Sequence, residues 1–184
     1  MKRIFIGSFV GALVFFGFQS AMWMSGVNED FTSFTGRQTE IMNSLSQNLT
    51  EDGLYTMPIT DPAQHLSQEE REKIMNANIG KPWAMIFYHS NMNEMDPMDL
   101  LRGLLFAFVA CFLASLVLYH GGFYSFNTRF LTAMAFAAFA LFQGALNNMN
   151  WWDFPWSFVR PQVMDLTIGW GVTSIWLAYY VKKK

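Results

Sequence analysis

The chain has almost no cysteine and little charge. Its one cysteine, Cys111, cannot form a disulfide within the chain, which excludes a scaffold held together by internal disulfides. Only 14% of the residues are Asp, Glu, Lys or Arg, whereas 52% are hydrophobic. The sequence also lacks a Gly-rich phosphate loop, an HExxH zinc motif and a nucleophile elbow. We therefore expect a protein that is not an enzyme.

Charge is nearly missing from four apolar stretches, at residues 4–24, 100–119, 130–146 and 163–181. A helix of roughly 20 residues, at about 1.5 Å per residue, crosses a hydrocarbon core about 30 Å thick. Inside lipid a single span must satisfy its own backbone groups, and a helix does so. The predicted fold class is a membrane all-α protein with four transmembrane helices. The first stretch lacks a convincing cleavage site after its apolar run, so we predict an uncleaved anchor.

A polar segment separates the first and second stretches. Residues 25–97 hold eleven Asp and Glu against four Lys and Arg. Apolar spacing over 37–49 and a capping signal at Ser67 and Glu70 predict two helices. The runs LYTMPI and WAMIFYH predict two paired strands. The expected domains are a transmembrane helix over 1–24, a small acidic extracytoplasmic α+β domain over 25–99, and a three-helix transmembrane region over 100–184.

Basic residues near the span ends predict the orientation of the chain. Lys2, Arg3, Arg129 and the lysines at 182–184 fall on one side, and positive flanks stay in the cytoplasm. We therefore predict a multi-pass protein of the bacterial inner membrane with both termini cytoplasmic and residues 25–99 periplasmic. Arg160, in the outer loop, is an exception to this pattern.

Small residues recur on one face of two spans. Gly7 and Gly11 are four residues apart in the first span, and Ala133 and Ala137 are four apart in the third. Such spacing lets helix backbones approach closely in a membrane. The pattern predicts helix interfaces, but it is equally compatible with contacts inside the chain and contacts with another protein.

A possible metal site precedes the second span. The run HSNMNEMDPMD places one imidazole and three thioethers at a spacing of three residues, namely His89, Met92, Met95 and Met98. Thioethers suit Cu(I), and imidazole suits copper in either oxidation state. Against this, Met is abundant throughout the chain, and the methionines also suit a role as fillers of an irregular junction between domain and membrane. Carboxylates at 94, 96 and 99 offer oxygens for Ca²⁺, although their spacing is not that of an EF-hand.

No resident cofactor is expected, with copper as the alternative. The three histidines, His65, His89 and His120, do not form a pair that faces across the predicted bilayer core. A haem held by two histidines is therefore not predicted.

Two segments carry a resemblance to a known group of proteins. NANIGKPWAMIFYH at 76–89 and LLRGLL at 100–105, together with the basic N-terminal anchor, make the chain resemble small uncharacterised bacterial inner-membrane proteins with four spans. The resemblance implies an anchor, an outward domain and three further spans in a bacterial inner membrane. It implies no activity, cofactor or catalytic residue.

These observations predict a non-enzymatic accessory or assembly subunit of a larger bacterial inner-membrane complex, for example an energy-transducing one. Its partners would be other integral membrane subunits and the lipid bilayer, and the acidic balance excludes nucleic acid. One alternative is a copper-handling membrane protein that uses the His and Met run. The other is a small homo-oligomeric transporter or channel lined by Gln143, Asp165 and Thr167.

Overall fold

A computed structural model describes residues 1–183 of the chain, apart from the side chain of Pro62. The described part is mostly helical, at 69% helix, with one small two-stranded sheet. It divides into two compact units. The helical unit comprises Met1–Phe34 and the residues from Met95 to the end of the described chain, and the inserted unit comprises Thr35–Glu94.

The helical unit contains four long helical segments. The first two segments are single helices, α1 (Lys2–Met24) and α4 (Pro97–His120). The third consists of α5 (Phe126–Ala140), a π turn (Leu141–Ala145) and α6 (Leu146–Trp152). The fourth consists of α7 (Trp156–Met164), a second π turn (Asp165–Gly169) and α8 (Trp170–Tyr180). A short 3₁₀ turn, Glu29–Phe31, follows α1. Two of these helices have N-terminal side-chain caps. Asp96 accepts a hydrogen bond from the Met98 amide, and Ser125 accepts one from the Thr128 amide.

The inserted unit contains two short helices, a 3₁₀ turn and a hairpin. In order along the chain they are α2 (Gln38–Asn48), β1 (Gly53–Met57), the 3₁₀ turn Pro62–Gln64, α3 (Gln68–Asn78) and β2 (Ala84–Tyr88). The strands pair antiparallel with Leu54 opposite Phe87. Helix α3 begins with the predicted capping box, in which Ser67 and Glu70 bond each other's backbone amides. Both helices and both strands that the sequence predicts here are confirmed.

Three described helices are long and apolar enough to cross a membrane, which is compatible with a multi-pass membrane protein. They are Lys2–Met24, Pro97–His120 and Phe126–Trp152. Each extends past its apolar stretch, since polar caps and flanks also adopt helical geometry. The predicted span at 163–181 is not among them. That stretch is helical, but Asp165 and a series of Thr, Ser, Gly and aromatic residues dilute its hydrophobicity.

Small residues bring the helices of this unit together. Gly7 and Gly11 lie buried on α1. A Cβ atom added at Gly11 would lie 3.1 Å from a Leu177 methyl group and 3.2 Å from the sulfur of Cys111, and one at Gly7 would meet Val181. The small face of α1 therefore contacts both α4 and α8. The first predicted interface is inside the chain, and the fourth helix packs against the first.

Candidate functional sites

Two polar side chains of the helix that runs from Trp156 to Tyr180 form hydrogen bonds with α1. Near one end, Gln19 Nε2 donates a hydrogen bond to Asp165 Oδ2 at 3.0 Å. Near the other end, the indole of Trp176 donates to the Gly7 carbonyl at 3.0 Å. Arg3 Nη1 donates to the Lys182 carbonyl at 3.0 Å, just beyond α8. The two helices are therefore antiparallel neighbours along most of their length.

Arg160 joins α7 to the turn that follows α1. Its guanidinium makes a two-pronged ion pair with the Asp30 carboxylate and donates to the Val27 carbonyl at 2.8 Å. The hydrogen bonds that Arg160 donates to the Asp30 carboxylate, together with its positive charge, lower the pKa of Asp30. Phe31 stacks on Phe158 beside them, with ring centroids 4.9 Å apart. The basic residue that is an exception in the charge pattern is thus neutralised by a contact within its own unit.

Arg129 is a buried cation, with 6% of its surface exposed. Its Nε donates to the Ala178 carbonyl at 2.7 Å, and its Nη1 donates to the carbonyls of Phe123 and Tyr124 at 2.9 Å each. Ala178 lies in the last turn of α8, where carbonyl groups lack partners within the helix and a cation is favourable. Arg129 therefore ties the loop before α5 to the end of α8. The sequence indicates its charge but not this bonding.

None of the clefts described for this structure is lined by the three residues predicted to form a transport path, Gln143, Asp165 and Thr167. Gln143 and Thr167 are exposed, and the hydroxyl of Thr167 donates to the Val163 carbonyl of its own helix. Asp165 is half-buried and accepts the hydrogen bond from Gln19. All three lie in the two π turns, a geometry that is frequent at functional sites. The cleft beside them, of about 230 Å³, is lined by apolar residues such as Phe15, Phe136 and Trp170.

A groove in the inserted unit exposes large apolar side chains. It has a volume of about 470 Å³ and runs along α3 and the segments that flank the hairpin. Ile59 is 73% exposed, Ile79 is 76% exposed and Trp83 is 51% exposed on its lining. Arg71 and Lys81 also line it, and Arg71 holds the Leu66 carbonyl through Nε. The groove therefore combines an apolar floor with two of the few cations of an acidic unit.

A second cleft of the same unit contains part of the predicted metal run. Its volume is about 510 Å³, and its lining includes Met42 on α2 together with His89 and Met92 after β2. Met92 is fully exposed. Met95 and Met98 belong to the helical unit, where Met98 lies in the first turn of α4. The structure brings two of the four predicted ligands to one cleft, and the four-ligand site stays a prediction.

Asp52 contacts two residues that line this cleft, His89 and Ser90. Its Oδ1 accepts a hydrogen bond from the Ser90 amide at 2.8 Å, and its Oδ2 lies 3.4 Å from His89 Nδ1. The hydrogen bonds of Ser90, and then the neighbouring His89, lower the pKa of Asp52. Across residues 1–183, no group of three or more His, Cys, Asp and Glu side chains is arranged to hold a metal ion. Any metal site in the described chain would need other donors such as thioethers.

Comparison with protein-family models, curated proteins and solved structures finds no match. Function therefore has to be argued from the described residues themselves.

Sequence reasoning missed three residues that the structure places at these sites. Gln19 is a polar residue inside an apolar span, and that contrast alone is a usable signal of a buried partner. Met42 and Asp52 carry no such signal, because the first resembles any apolar residue on a helix face and the second any acidic residue before a turn. The pairing of Gly53 with Tyr88 in the hairpin brings Asp52 beside His89, and Met42 lines the cleft from α2.

Proposed function

We propose that the protein is a non-enzymatic accessory or assembly subunit of a larger bacterial inner-membrane complex. Its four helical segments would span the membrane, and its inserted unit would lie in the periplasm and dock another integral membrane subunit. The observation that carries this proposal is the exposed apolar groove of the inserted unit, which contains Ile59, Ile79 and Trp83. Exposed apolar patches on a water-facing surface mark places where another protein binds.

The groove favours a protein segment with carboxylates over a purely apolar ligand. Arg71 and Lys81 line it, although acidic residues outnumber basic ones in residues 35–94. A partner segment that carries Asp or Glu beside apolar side chains would match both the cations and the apolar floor. The aromatic ring of Trp83 is the kind of anchor that dominates binding energy in such interfaces.

The helix contacts support four spans with both termini on the same side of the membrane, and the basic residues near the span ends favour the cytoplasmic side. The helix Trp156–Tyr180 lies antiparallel to α1, which is long and apolar enough to cross a membrane. A neighbour in contact with α1 near both of its ends would share its membrane depth. The hydrogen bond from Arg3 to the Lys182 carbonyl joins the start of α1 to the segment just after α8, which supports an even number of spans.

The proposal is tested by purifying the protein at its native level from its native membrane in a mild detergent. Mass spectrometry of the sample should find one or more integral membrane proteins in fixed stoichiometry. Fusion reporters at the two ends of the chain should both read as cytoplasmic. A protein that is stable and monodisperse on its own at native level would overturn the subunit role, whatever the topology.

A further inference from the structure

We propose that the cleft between α2 and the end of β2 is a Cu(I) site, with Met42, Met92 and His89 as its ligands. This inference concerns a different surface from the partner-binding groove and does not depend on it. All three residues line one cleft within the inserted unit. Two soft thioether sulfurs and one imidazole nitrogen form a donor set that suits Cu(I) and disfavours Zn²⁺, Mg²⁺ and Ca²⁺.

Asp52 prepares His89 for this role. When Nδ1 of His89 carries the proton, that nitrogen faces the Asp52 carboxylate at 3.4 Å. The lone pair then lies on Nε2, which is the ligating atom in such an arrangement. The same carboxylate fixes the backbone after β2 through the Ser90 amide at 2.8 Å. One side chain thus restrains both the imidazole and the start of the loop that carries Met92.

The surroundings of the cleft favour the reduced ion. Leu45, Ile86 and Phe87 contribute apolar groups to its lining. Thioether donors with apolar neighbours favour the lower charge of Cu(I) over that of Cu(II). Methionine has three rotatable bonds, so the sulfurs of Met42 and Met92 can move toward a bound ion without a change of backbone.

This site differs from the run of four residues in a way that can be measured. The sequence spacing groups His89 and Met92 with Met95 and Met98, whereas the fold groups them with Met42, which lies 47 residues before His89 along the chain. Substitutions at Met42 should therefore weaken binding, and substitutions at Met95 and Met98 should not.

The test uses the full chain in detergent micelles, with Cu(I) alone as the probe and a chromogenic Cu(I) chelator as the competitor. The wild type should bind one Cu(I) per chain. The variants His89→Gln and Met42→Leu/Met92→Leu should each lose affinity by about tenfold or more, and Asp52→Asn by about tenfold, as expected when a group that orients a ligand is removed. X-ray absorption of the wild type should report sulfur and nitrogen neighbours.

Matched controls separate the cleft from methionine content in general. Met75→Leu and Met95→Leu/Met98→Leu should bind Cu(I) like the wild type, and all of these methionines are exposed, so the substitutions leave the fold intact. The absence of Cu(I) binding by the wild type would overturn the proposal. Cleft variants that bind Cu(I) with the same affinity as the wild type would also overturn it. So would a loss of affinity that is confined to the Met95→Leu/Met98→Leu variant.

Discussion

The two units of this chain differ in how many of their hydrophobic residues are buried. The helical unit contributes almost all of the buried hydrophobic residues in the described chain, whereas the inserted unit contributes Leu49 and Tyr88 alone. Neither α2 nor α3 has a buried residue. The helical unit is thus held together by its own contacts, whereas the inserted unit leaves its apolar side chains exposed. The inserted unit therefore has only a small buried core of its own.

Polar groups reinforce this contrast. In the helical unit, the indoles of Trp170 and Trp176 donate to the carbonyls of Ala133 and Gly7, and Arg129 satisfies three carbonyls at once. The two indole bonds and the bond from Arg129 to Ala178 join segments that are far apart in the sequence. In the inserted unit, most side-chain bonds join residues within five positions of each other, as in the capping box of α3. Local bonds shape the elements, but they do not bind them together.

The largest effect is expected from removing the buried cation of the helical unit. Arg129→Ala leaves three carbonyls without their donor, and each bond from a charged group contributes about 1.5–3 kcal/mol. We expect a loss of about 3 kcal/mol or more in the free energy of unfolding, measured by thermal or chemical unfolding in detergent. Arg102→Ala is the control, because its exposed pair with Asp99 contributes at most about 1 kcal/mol. Equal losses in the two variants would show that Arg129 is not a structural tie.

A smaller effect should follow from adding one methyl group to the face of α1. In Gly7→Ala the new Cβ would meet Val181, the residue just after α8, so α1 and the end of α8 must move apart at a cost of about 1–3 kcal/mol. Gly17→Ala lies on the same helix, and nothing approaches its Cβ within 4 Å. That control should be neutral or slightly stabilising because alanine favours helix. Unfolding of both variants in the same detergent compares them. A Gly7→Ala variant as stable as the Gly17→Ala variant would contradict the close contact of α1 with α8.

The smallest expected effect is a loosening of the inserted unit in acid. The pKa of Asp52 is lower in the folded protein than in the unfolded chain, mainly because Ser90 donates hydrogen bonds to it. Its stabilising contribution is therefore complete above the unfolded pKa, near about 4, and is lost as the pH falls through the folded value. Amide hydrogen exchange at Ser90 should accelerate below about pH 4 once the intrinsic pH dependence is removed. In Asp52→Asn this acid-dependent step should disappear, and its persistence would assign the loosening to another group.

Local signals in the sequence predicted the inserted unit well. The capping box at Ser67 and Glu70 and the two aromatic strands depend on neighbours a few residues away, so their pattern is visible without a fold. The bounds of the apolar helices were less accurate, because caps such as Asp96 and Ser125 extend helices beyond their apolar stretches. The fourth span stays a prediction, because Asp165 and the Thr, Ser, Gly and aromatic residues of that stretch lower its hydropathy.

The candidate sites were harder to predict, since they depend on contacts between distant segments. His89 and Met92 were visible as possible ligands, but Met42 and Asp52 join them only through the fold. The groove is invisible in the sequence for a related reason. Its apolar residues are ordinary core-forming types, and only their exposure in the folded unit distinguishes them.

Site-specific photo-crosslinking in living cells tests whether the groove of the inserted unit binds another membrane subunit. A photoreactive residue placed at Ile59 or Ile79 should form an adduct with one integral membrane protein, because both side chains line the groove. The same residue placed at Ile41, which is exposed on α2 outside that lining, should form none. Adducts formed only with lipid, or only with a second copy of the chain, would contradict the binding of another subunit in the groove. Equal adducts at all three positions would contradict it as well.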